Sequence, residues 1–371
     1  MSDVKLHKAL ELMNQRGLDG LIIYSSGTCN ILRPSYLYYF SGFRPMGPRN
    51  AAIVSRGGEV VLLVEPSWDA ARASRKSWIA DVRGSDDFLR EFGAVVRALK
   101  ITGSVGIVGS QEMPREIYGG IAKDCAVVLA DSVIEEMSRE KTKQELELVR
   151  HATRVADIGF GAFLHHTRVG IREYELVAEM EYAMRLAGAD DMFILLSSDK
   201  HNYEMHEPTD RRLREGDIVI GEITPVCEGQ FIQLCGTIVL GEPSAVVVEQ
   251  YDLLLRALQG ALGQVRANVP ASLIPRAMNE VFSEAGYAKY CHPPYMRARG
   301  HGFGVGSIAP GAVLADDTKG YLERHQVIAV HPNQYLPETG YLACGETVLV
   351  TDTGMERLAQ IEMKLYVKEG R

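Results

Sequence analysis

The stretch GEITPVCEGQFIQLCGTIV, residues 221–239, is predicted to form two strands around a tight turn. If the turn is centred on Cys227 and Glu228, Glu222 pairs with Gln233 across the hairpin. Strand alternation then makes one face polar, with Glu222, Thr224, Gln233, Cys235 and Thr237. The opposite face is apolar and consists of Ile223, Ile232, Leu234 and Ile238. We expect this apolar face to pack against helices.

The polar face of the hairpin is either solvated or part of a cavity. Antiparallel sheets often expose one polar face to water. Such faces usually carry Lys, Arg and Glu, whereas this face has no cation and includes a cysteine, a glutamine and two threonines. The composition of the face therefore favours a lined cleft.

The bulk composition is that of a globular protein. The chain has 371 residues, of which 46% are hydrophobic and 24% charged, and its net charge is −8. No basic cluster with interleaved aromatic residues is present, so we expect no nucleic-acid partner. The N-terminus MSDVKLHKALELM lacks an apolar signal-peptide core, and no apolar run has the length of a membrane span. The six cysteines are scattered, which is typical of a reducing compartment, and we expect a cytoplasmic protein.

Two domains are predicted. Residues 1–135 alternate short apolar strands with helices, for instance at 86–98 and 112–121, which indicates an α/β domain. The charged stretch EEMSREKTKQEL at 135–146 marks the boundary and leads into a long helix that ends near His165. Residues 136–371 combine long helices with hairpins, which indicates an α+β domain. Its other predicted elements are helices at 172–187, 246–267 and 271–285, and strand pairs 217–224 with 231–240 and 326–331 with 346–351.

Five stretches carry a resemblance to a known family. In chain order they are YLYYFSGFRPMGPRNAAIV, KTKQELELVRHATRVADIG, MHEPTDRRLREGDIVI, GHGFG at 300–304, and ETVLVTDTG. In these stretches the chain resembles the creatinase/prolidase/aminopeptidase P family. The resemblance implies a creatinase-like α/β N-terminal domain at 1–135 and an α+β pita-bread catalytic domain at 136–371, with a curved antiparallel sheet and long helices. It also implies a homodimer.

The resemblance implies a site at which metal-binding relatives hold two divalent ions with Asp, Asp, His, Glu and Glu. The matching positions here are Glu222, Gln233, His301, His331 and Gly345. Two neighbouring cations repel each other, and several carboxylates are needed to offset that repulsion. Glu222 is the one carboxylate in this set, and Glu346 lies one residue from the matching position, on the opposite face of its strand. We therefore expect no metal and no other cofactor.

A single metal ion is the alternative. Glu222, His301 and His331 form a two-histidine, one-carboxylate set, which suits iron(II) or zinc. In the family, however, the position of Glu222 serves one ion and the two histidine positions serve the other. On this alternative the protein is a metal-dependent hydrolase similar to the Xaa-Pro peptidases.

Creatinase is the metal-free precedent in this family, and its proton-transferring histidine matches His206 in MHEPTDRRL. A histidine takes up and returns a proton near neutral pH, as hydrolysis without a metal requires. The two glutamates with which creatinase binds its guanidinium substrate match Cys235 and His331, so we expect a non-guanidinium substrate. Ile308 replaces a second histidine that assists peptide hydrolysis in relatives, which argues against a peptidase.

The main hypothesis is therefore a metal-independent, creatinase-like hydrolase or lyase that cleaves a C–N bond of a small, carboxylate-bearing molecule. Its catalytic residues would be His206, Glu222, His301 and His331. Its substrate-binding residues would be Gln233, Cys235 and Arg49, the last supplied by the N-terminal domain of the second subunit. Whether Cys235 is instead a nucleophile stays open. A non-catalytic binding protein is a second alternative.

Overall fold

A computed structural model of the protein describes residues 2–27, 35–304, 306 and 313–369. The chain divides into two compact units, Met1–Ser138 and Arg139–Arg371. The helix Asp131–Arg139 contains both this division and the boundary predicted at residue 135. Within the described residues, no helix combines the length and the apolar character needed to cross a membrane.

The N-terminal unit is built on a six-stranded sheet, counted over the described residues. Its strands are β1 Gly20–Ser25, β2 Asn50–Ser55, β3 Val60–Val64, β4 Asp81–Gly84, β5 Ser104–Val108 and β6 Ala126–Leu129. Its helices are α1 Ser2–Gln15, α2 Tyr36–Ser41, α3 Ala70–Lys76, α4 Phe88–Ala98, α5 Arg115–Asp124 and α6 Asp131–Arg139. The spatial order is β4-β3-β2-β1-β5-β6, in which β2 is antiparallel to both neighbours and the remaining pairs are parallel.

Apolar strands and amphipathic helices explain this unit. β1 and β2 are buried along their whole length, as central strands with two covered faces are. α4 begins after Asp87, whose carboxylate accepts a hydrogen bond from the backbone N–H of Arg90. Its buried stripe consists of Phe88, Phe92 and Val95. The α/β class predicted for this part of the chain is confirmed.

The C-terminal unit combines long helices with mainly antiparallel strands. The helices are α7 Lys143–His166, α8 Glu173–Leu186, α9 Ala245–Leu262 and α10 Leu273–Glu284. The first strands are β7 Asp191–Asp199, β8 Ile218–Cys227, β9 Gln230–Phe231, β10 Leu234–Leu240 and β11 Gly300–Phe303. The later strands are β12 Val327–Val330, β13 Gln334–Leu336, β14 Gly340–Leu342, β15 Glu346–Val350, β16 Met355–Arg357 and β17 Tyr366–Lys368.

Two sheets of this unit carry the predicted hairpins. One has the order β17-β10-β8-β7, and the other has the order β11-β12-β15-β16. The strand pairs predicted at 217–224 with 231–240 and at 326–331 with 346–351 are present as β8–β10 and β12–β15, both antiparallel. The α+β class of the C-terminal domain is therefore confirmed.

The turn of the central hairpin differs from the prediction. Cys227 pairs with Gln230, so the turn consists of Glu228 and Gly229. Glu228 has φ 45° and Gly229 has φ 80°, as a type I′ turn requires. Glycine adopts this left-handed conformation at little cost, which explains why the turn centres one residue later than predicted.

The shifted turn changes the pairing but not the faces of the hairpin. Glu222 lies opposite Cys235 instead of opposite Gln233. A shift of two positions keeps every side chain on its own side of the sheet, so the predicted polar face is intact. The other face packs on α7, as expected, because a Cβ built at Gly236 would lie 2.5 Å from the Phe160 ring.

Candidate functional site

β11 and the end of β12 bring two histidines together. His301 lies on β11, and His331 follows Val330 at the end of β12, which pairs with β11. Their ring centroids are 5.5 Å apart, with an angle of 61° between the ring planes. The main-chain N–H of His331 donates to the Arg299 carbonyl oxygen at 3.1 Å, which extends the pairing of the two strands. The two predicted histidines are therefore neighbours.

His331 is buried without a hydrogen-bonding partner for its ring. Its side chain is 7% exposed, and neither ring nitrogen has a partner among the described residues. Burial lowers the pKa of the His331 imidazole to about 3, and the charge of His301 acts in the same direction. His331 is therefore neutral at physiological pH. Buried polar atoms are nearly always satisfied by protein, water or an ion, so the His331 nitrogens indicate a place for a ligand.

Gln233, in the central hairpin, lies within hydrogen-bonding distance of His301. His301 Nε2 is 3.1 Å from Gln233 Oε1. The amide nitrogen of Gln233 donates to Cys235 Sγ at 3.6 Å. Its main chain exchanges two hydrogen bonds with Thr347 Oγ1, at 3.0 and 2.8 Å. Gln233 is thus a fixed, buried amide between an imidazole and a thiol.

Glu222 and Cys235 face each other across β8 and β10. The Cys235 thiol lies 4.0 Å from Glu222 Oε2. Burial raises the pKa of the Glu222 carboxyl to about 7, and the positive charge of Arg297 opposes that rise. Burial, and then the charge of Glu222, raise the pKa of the Cys235 thiol well above its usual value. The thiol is therefore protonated at neutral pH, which does not suit a nucleophile.

Gly345 occupies the position matched to the last metal-binding glutamate. A Cβ built there would lie 2.4 Å from His331 Cβ and 2.9 Å from the Val330 carbonyl oxygen. No side chain therefore fits at position 345 while His331 keeps its place. Glu346 pairs with Val330 and points away, with its Oε1 atom 3.5 Å from Arg357 Nη2. This agrees with the predicted orientation of Glu346.

The structure gives two predicted site residues other partners. His206 Nδ1 is 2.7 Å from the Glu207 carbonyl oxygen, and the His206 carbonyl accepts a hydrogen bond from Leu196 N on β7. Arg49 belongs to the N-terminal unit, where it forms a two-pronged ion pair with Glu65 at 2.6 and 3.0 Å. Roles for His206 and Arg49 in the site stay predictions.

Asn333 is a site residue that the sequence reasoning missed. It is buried, and its Nδ2 donates to Cys235 Sγ at 3.6 Å while its Oδ1 accepts from Cys344 N at 2.9 Å. It therefore ties the segment after His331 to β10. The available signal was its spacing, since Asn333 follows His331 by two residues in the stretch HPNQ.

The residues of the site do not fit a pair of metal ions. A pair needs several carboxylates, because two cations a few ångströms apart repel strongly. Among the five matched positions Glu222 is the one carboxylate, while Gln233 is neutral and Gly345 has no side chain. These residues therefore carry too little negative charge to offset the repulsion between two ions.

A single ion fits the histidine pair. With metal–nitrogen bonds of about 2 Å and tetrahedral angles, the centres of two ligating imidazoles lie roughly 5 Å apart. The observed separation of His301 and His331 is 5.5 Å. As the side chains stand, His301 Nε2 is engaged with Gln233. Over the ranges that the structure describes, no three His, Cys, Asp or Glu side chains are gathered around a common point for an ion, so Glu222 does not join the histidine pair.

Two family models match the chain. The model of the Creatinase/Prolidase N-terminal domain matches residues 5–138. The model of Metallopeptidase family M24 matches residues 147–352, which is more than half of the chain. The two matches follow each other along the chain, as the two units do.

Similar proteins cover almost the whole chain. The Xaa-Pro dipeptidase of Pyrococcus furiosus is 26% identical over 365 residues, which are 97% of this chain and 99% of the relative. The solved prolidase from Pyrococcus furiosus is 25% identical, with a TM-score of 0.81 over 95% of this chain and 99% of that one. The X-Pro aminopeptidase from Thermotoga maritima is 23% identical, with a TM-score of 0.86 over 98% and 99%. These likenesses confirm the predicted pita-bread fold.

The comparisons overturn the main functional hypothesis. The hypothesis of a metal-independent, creatinase-like enzyme with no cofactor and with His206 as proton shuttle is wrong. The matching family is one of metallopeptidases, and the relatives are Xaa-Pro dipeptidases. The prediction from Ile308 that the protein is not a peptidase is wrong for the same reason, and Ile308 lies outside the described residues. The expectation of no metal rested on the charge that two ions require, and that requirement does not exclude a single ion bound by neutral imidazoles. The findings support the alternative of a metal-dependent hydrolase similar to the Xaa-Pro peptidases.

Proposed function

The chain belongs to metallopeptidase family M24, and from this membership we propose that it is a metal-dependent hydrolase of small Xaa-Pro peptides. A carbon–nitrogen bond is cleaved, in agreement with the reaction class expected from the sequence. The proposal is supported by end-to-end similarity to Xaa-Pro dipeptidases and by the two histidines of the site.

One observation carries the metal part of this proposal: a buried, neutral His331 with unpaired ring nitrogens stands beside His301. Metals bind imidazole in its neutral form, so no proton competes at His331 near neutral pH. His301 and His331 would hold the ion, and Glu222 would supply the one negative charge. A bound ion of this kind lowers the pKa of a water molecule and polarises a carbonyl group.

Side chains around the histidine pair would bind and orient the peptide. Arg297 is exposed, and its charge is felt by both Glu222 and His331. A guanidinium binds a carboxylate through paired hydrogen bonds, so Arg297 would hold the terminal carboxylate of a dipeptide. Thr224, two residues from Glu222 on the same face, has a buried hydroxyl without a partner among the described residues. That hydroxyl is a further donor for the substrate.

Hydrolysis of defined dipeptides tests the proposed function. The full chain is incubated with alanyl-proline, and with alanyl-alanine for comparison, after addition of zinc, iron(II), manganese or cobalt ions. We expect proline to be released with at least one of these ions, release to stop with a chelator, and release to return when the ion is restored. Alanyl-alanine is expected to be a much poorer substrate.

The matched variants are His301→Ala and His7→Ala. Loss of a metal ligand is expected to lower kcat/KM at least about 100-fold. His7 is an exposed histidine of α1, and its replacement is expected to leave kcat/KM unchanged. The proposal is contradicted if no ion supports proline release, or if His301→Ala is as active as His7→Ala.

A further inference from the structure

Four tyrosines form an exposed cluster next to the site, which we call the tyrosine platform: Tyr203, Tyr290, Tyr295 and Tyr335. Tyr335 is central, with ring centroids 6.2 Å from Tyr203, 6.4 Å from Tyr290 and 5.9 Å from Tyr295. The Tyr203 side chain is 77% exposed, and the other three are half-buried. A contiguous exposed group of rings is typical of a binding surface.

One buried side chain, Gln334, forms hydrogen bonds with the main chain of three platform residues. Gln334 Nε2 donates to the carbonyl oxygens of Tyr290 and Tyr335, both at 2.9 Å, and to that of Tyr295 at 3.4 Å. Its Oε1 accepts a hydrogen bond from the fully buried Arg299 at 2.7 Å. Three of the rings are therefore attached to a fixed main chain. A preorganised surface loses less conformational entropy when it binds a ligand.

Arg299 and Gln334 also connect the platform to the histidine pair. The Arg299 carbonyl accepts from the His331 N–H at 3.1 Å, while its side chain holds Gln334. Tyr335 follows His331 by four residues, so their Cα atoms lie within roughly 14 Å of each other. Tyr341, directly opposite Tyr335 in the β13–β14 pair, is buried and lies within reach of the charge of Glu222. The platform is therefore linked to the histidine pair both through Arg299 and Gln334 and by a stretch of four residues.

We propose that the tyrosine platform is a subsite for an aromatic side chain of the peptide substrate, a proposal that rests on the proposed function. The rings already contact one another in tilted and edge-to-face pairs, such as Tyr290 and Tyr295 at 4.9 Å and 84°. A further aromatic ring above Tyr203 continues this arrangement and removes the exposed ring from water. A cationic side chain fits poorly, because Lys289 Nζ already lies 4.8 Å from the Tyr290 centroid.

Binding of uncleavable ligands tests the subsite without relying on turnover. The probes are analogues of phenylalanyl-proline, leucyl-proline and lysyl-proline in which a methylene replaces the scissile carbonyl. Calorimetry on the full, metal-loaded chain is expected to show about threefold to tenfold tighter binding of the phenylalanyl analogue than of the leucyl analogue. The lysyl analogue is expected to bind most weakly.

Three variants locate the preference on the platform. Tyr203→Ala is expected to reduce the affinity for the phenylalanyl analogue to that for the leucyl analogue, while Tyr203→Phe keeps the preference because it keeps the ring. Tyr182→Ala removes another exposed tyrosine, on α8, and is expected to change neither affinity. Both tyrosines are exposed, so these variants are expected to fold.

The remaining outcomes distinguish a failure of the subsite from a failure of the proposed function. Equal binding of the phenylalanyl and leucyl analogues, or tighter binding of the lysyl analogue, contradicts an aromatic subsite. A change in the mass of the particle in solution with Tyr203→Ala, without a change in affinity, assigns the platform to a protein interface instead. If the preference holds but no Xaa-Pro peptide is hydrolysed, the proposed function fails and the subsite stands.

Discussion

His331 and Glu222 have opposite pKa shifts with the same main cause, which is burial. Burial disfavours the charged form of each group, so the pKa of His331 falls to about 3 and the pKa of Glu222 rises to about 7. At neutral pH the site therefore contains a neutral imidazole and a carboxyl that is poised to lose its proton. That combination suits a cation, which would bind the imidazole and replace the carboxyl proton.

The shift at Glu222 predicts how the metal-free protein depends on pH. The folded chain keeps a proton that the unfolded chain releases above its ordinary pKa of 4.5, so the stability from this group is full below pH 4.5 and is lost as the pH rises through about 7. Glu222→Gln is neutral throughout and escapes this loss. We expect its free energy of unfolding, relative to wild type, to rise by about 1–3 kcal/mol between pH 4.5 and 8.

Urea unfolding at both pH values measures this difference. Glu204→Gln, at an exposed position in the same unit, is the matched control. A flat difference for Glu222→Gln would contradict the burial of an uncompensated carboxyl.

Gly345 gives a second prediction for a single residue. Because a Cβ at this position would lie 2.4 Å from His331 Cβ, Gly345→Ala is expected to destabilise the fold by about 1–3 kcal/mol. Gly354 has no atom within 4 Å of the same added carbon, and Gly354→Ala is expected to be nearly neutral. Equal unfolding midpoints for the two variants in urea would contradict this prediction, because they would show that the backbone at His331 shifts at little cost in free energy.

The packing of α7 on the central hairpin predicts opposite effects of two alanines. At Gly236 on β10 the added carbon would lie 2.5 Å from the Phe160 ring, whereas at Gly161 on α7 it would meet nothing within 4 Å. Gly236→Ala is therefore expected to destabilise the chain, and Gly161→Ala to stabilise it by about 0.5–1 kcal/mol through helix propensity. Thermal unfolding of both variants checks this, and the reverse order would contradict the packing.

Elements with a strong period were predictable from the sequence, whereas the register of the hairpin was not. The helix ending near His165 and the two faces of the hairpin follow from spacings of 3.6 and 2 residues. The pairing depends instead on which two residues take positive φ, and Glu228 gives no signal of this in the sequence. A shift of two positions leaves the faces intact, so the prediction of the polar face did not depend on the register.

In the site, the sequence indicated only those residues whose type alone suggests a chemical role, such as the histidines. His301 and His331 are neighbours, as expected. Position 345 is a glycine because His331 occupies the space that a side chain there would need. Asn333 and Gln334 were missed because their roles come from partners far along the chain, Cys235 and Arg299. Side chains whose function is to position other groups have no pattern in a single sequence.

At the scale of the whole molecule, the dimer stays a prediction. The sequence resemblance implies that the N-terminal domain of a second subunit completes the site with Arg49, which in this chain pairs with Glu65. Sedimentation equilibrium is expected to give twice the mass of one chain. Arg49→Ala is expected to lower kcat/KM about tenfold, whereas Arg90→Ala, at an exposed position in the same unit, is expected to have no effect. A fully active monomer would contradict the dimer.

The number of metal ions in the active protein tests the central claim most directly. Elemental analysis is combined with a titration in which alanyl-proline hydrolysis is followed as ions are added back to the chelated full chain. We predict that activity rises in proportion to bound metal and saturates at one ion per chain, and that the double variant His301→Ala/His331→Ala retains none. Saturation at two ions per chain, or full activity of the chelated protein with no bound ion, would contradict the account.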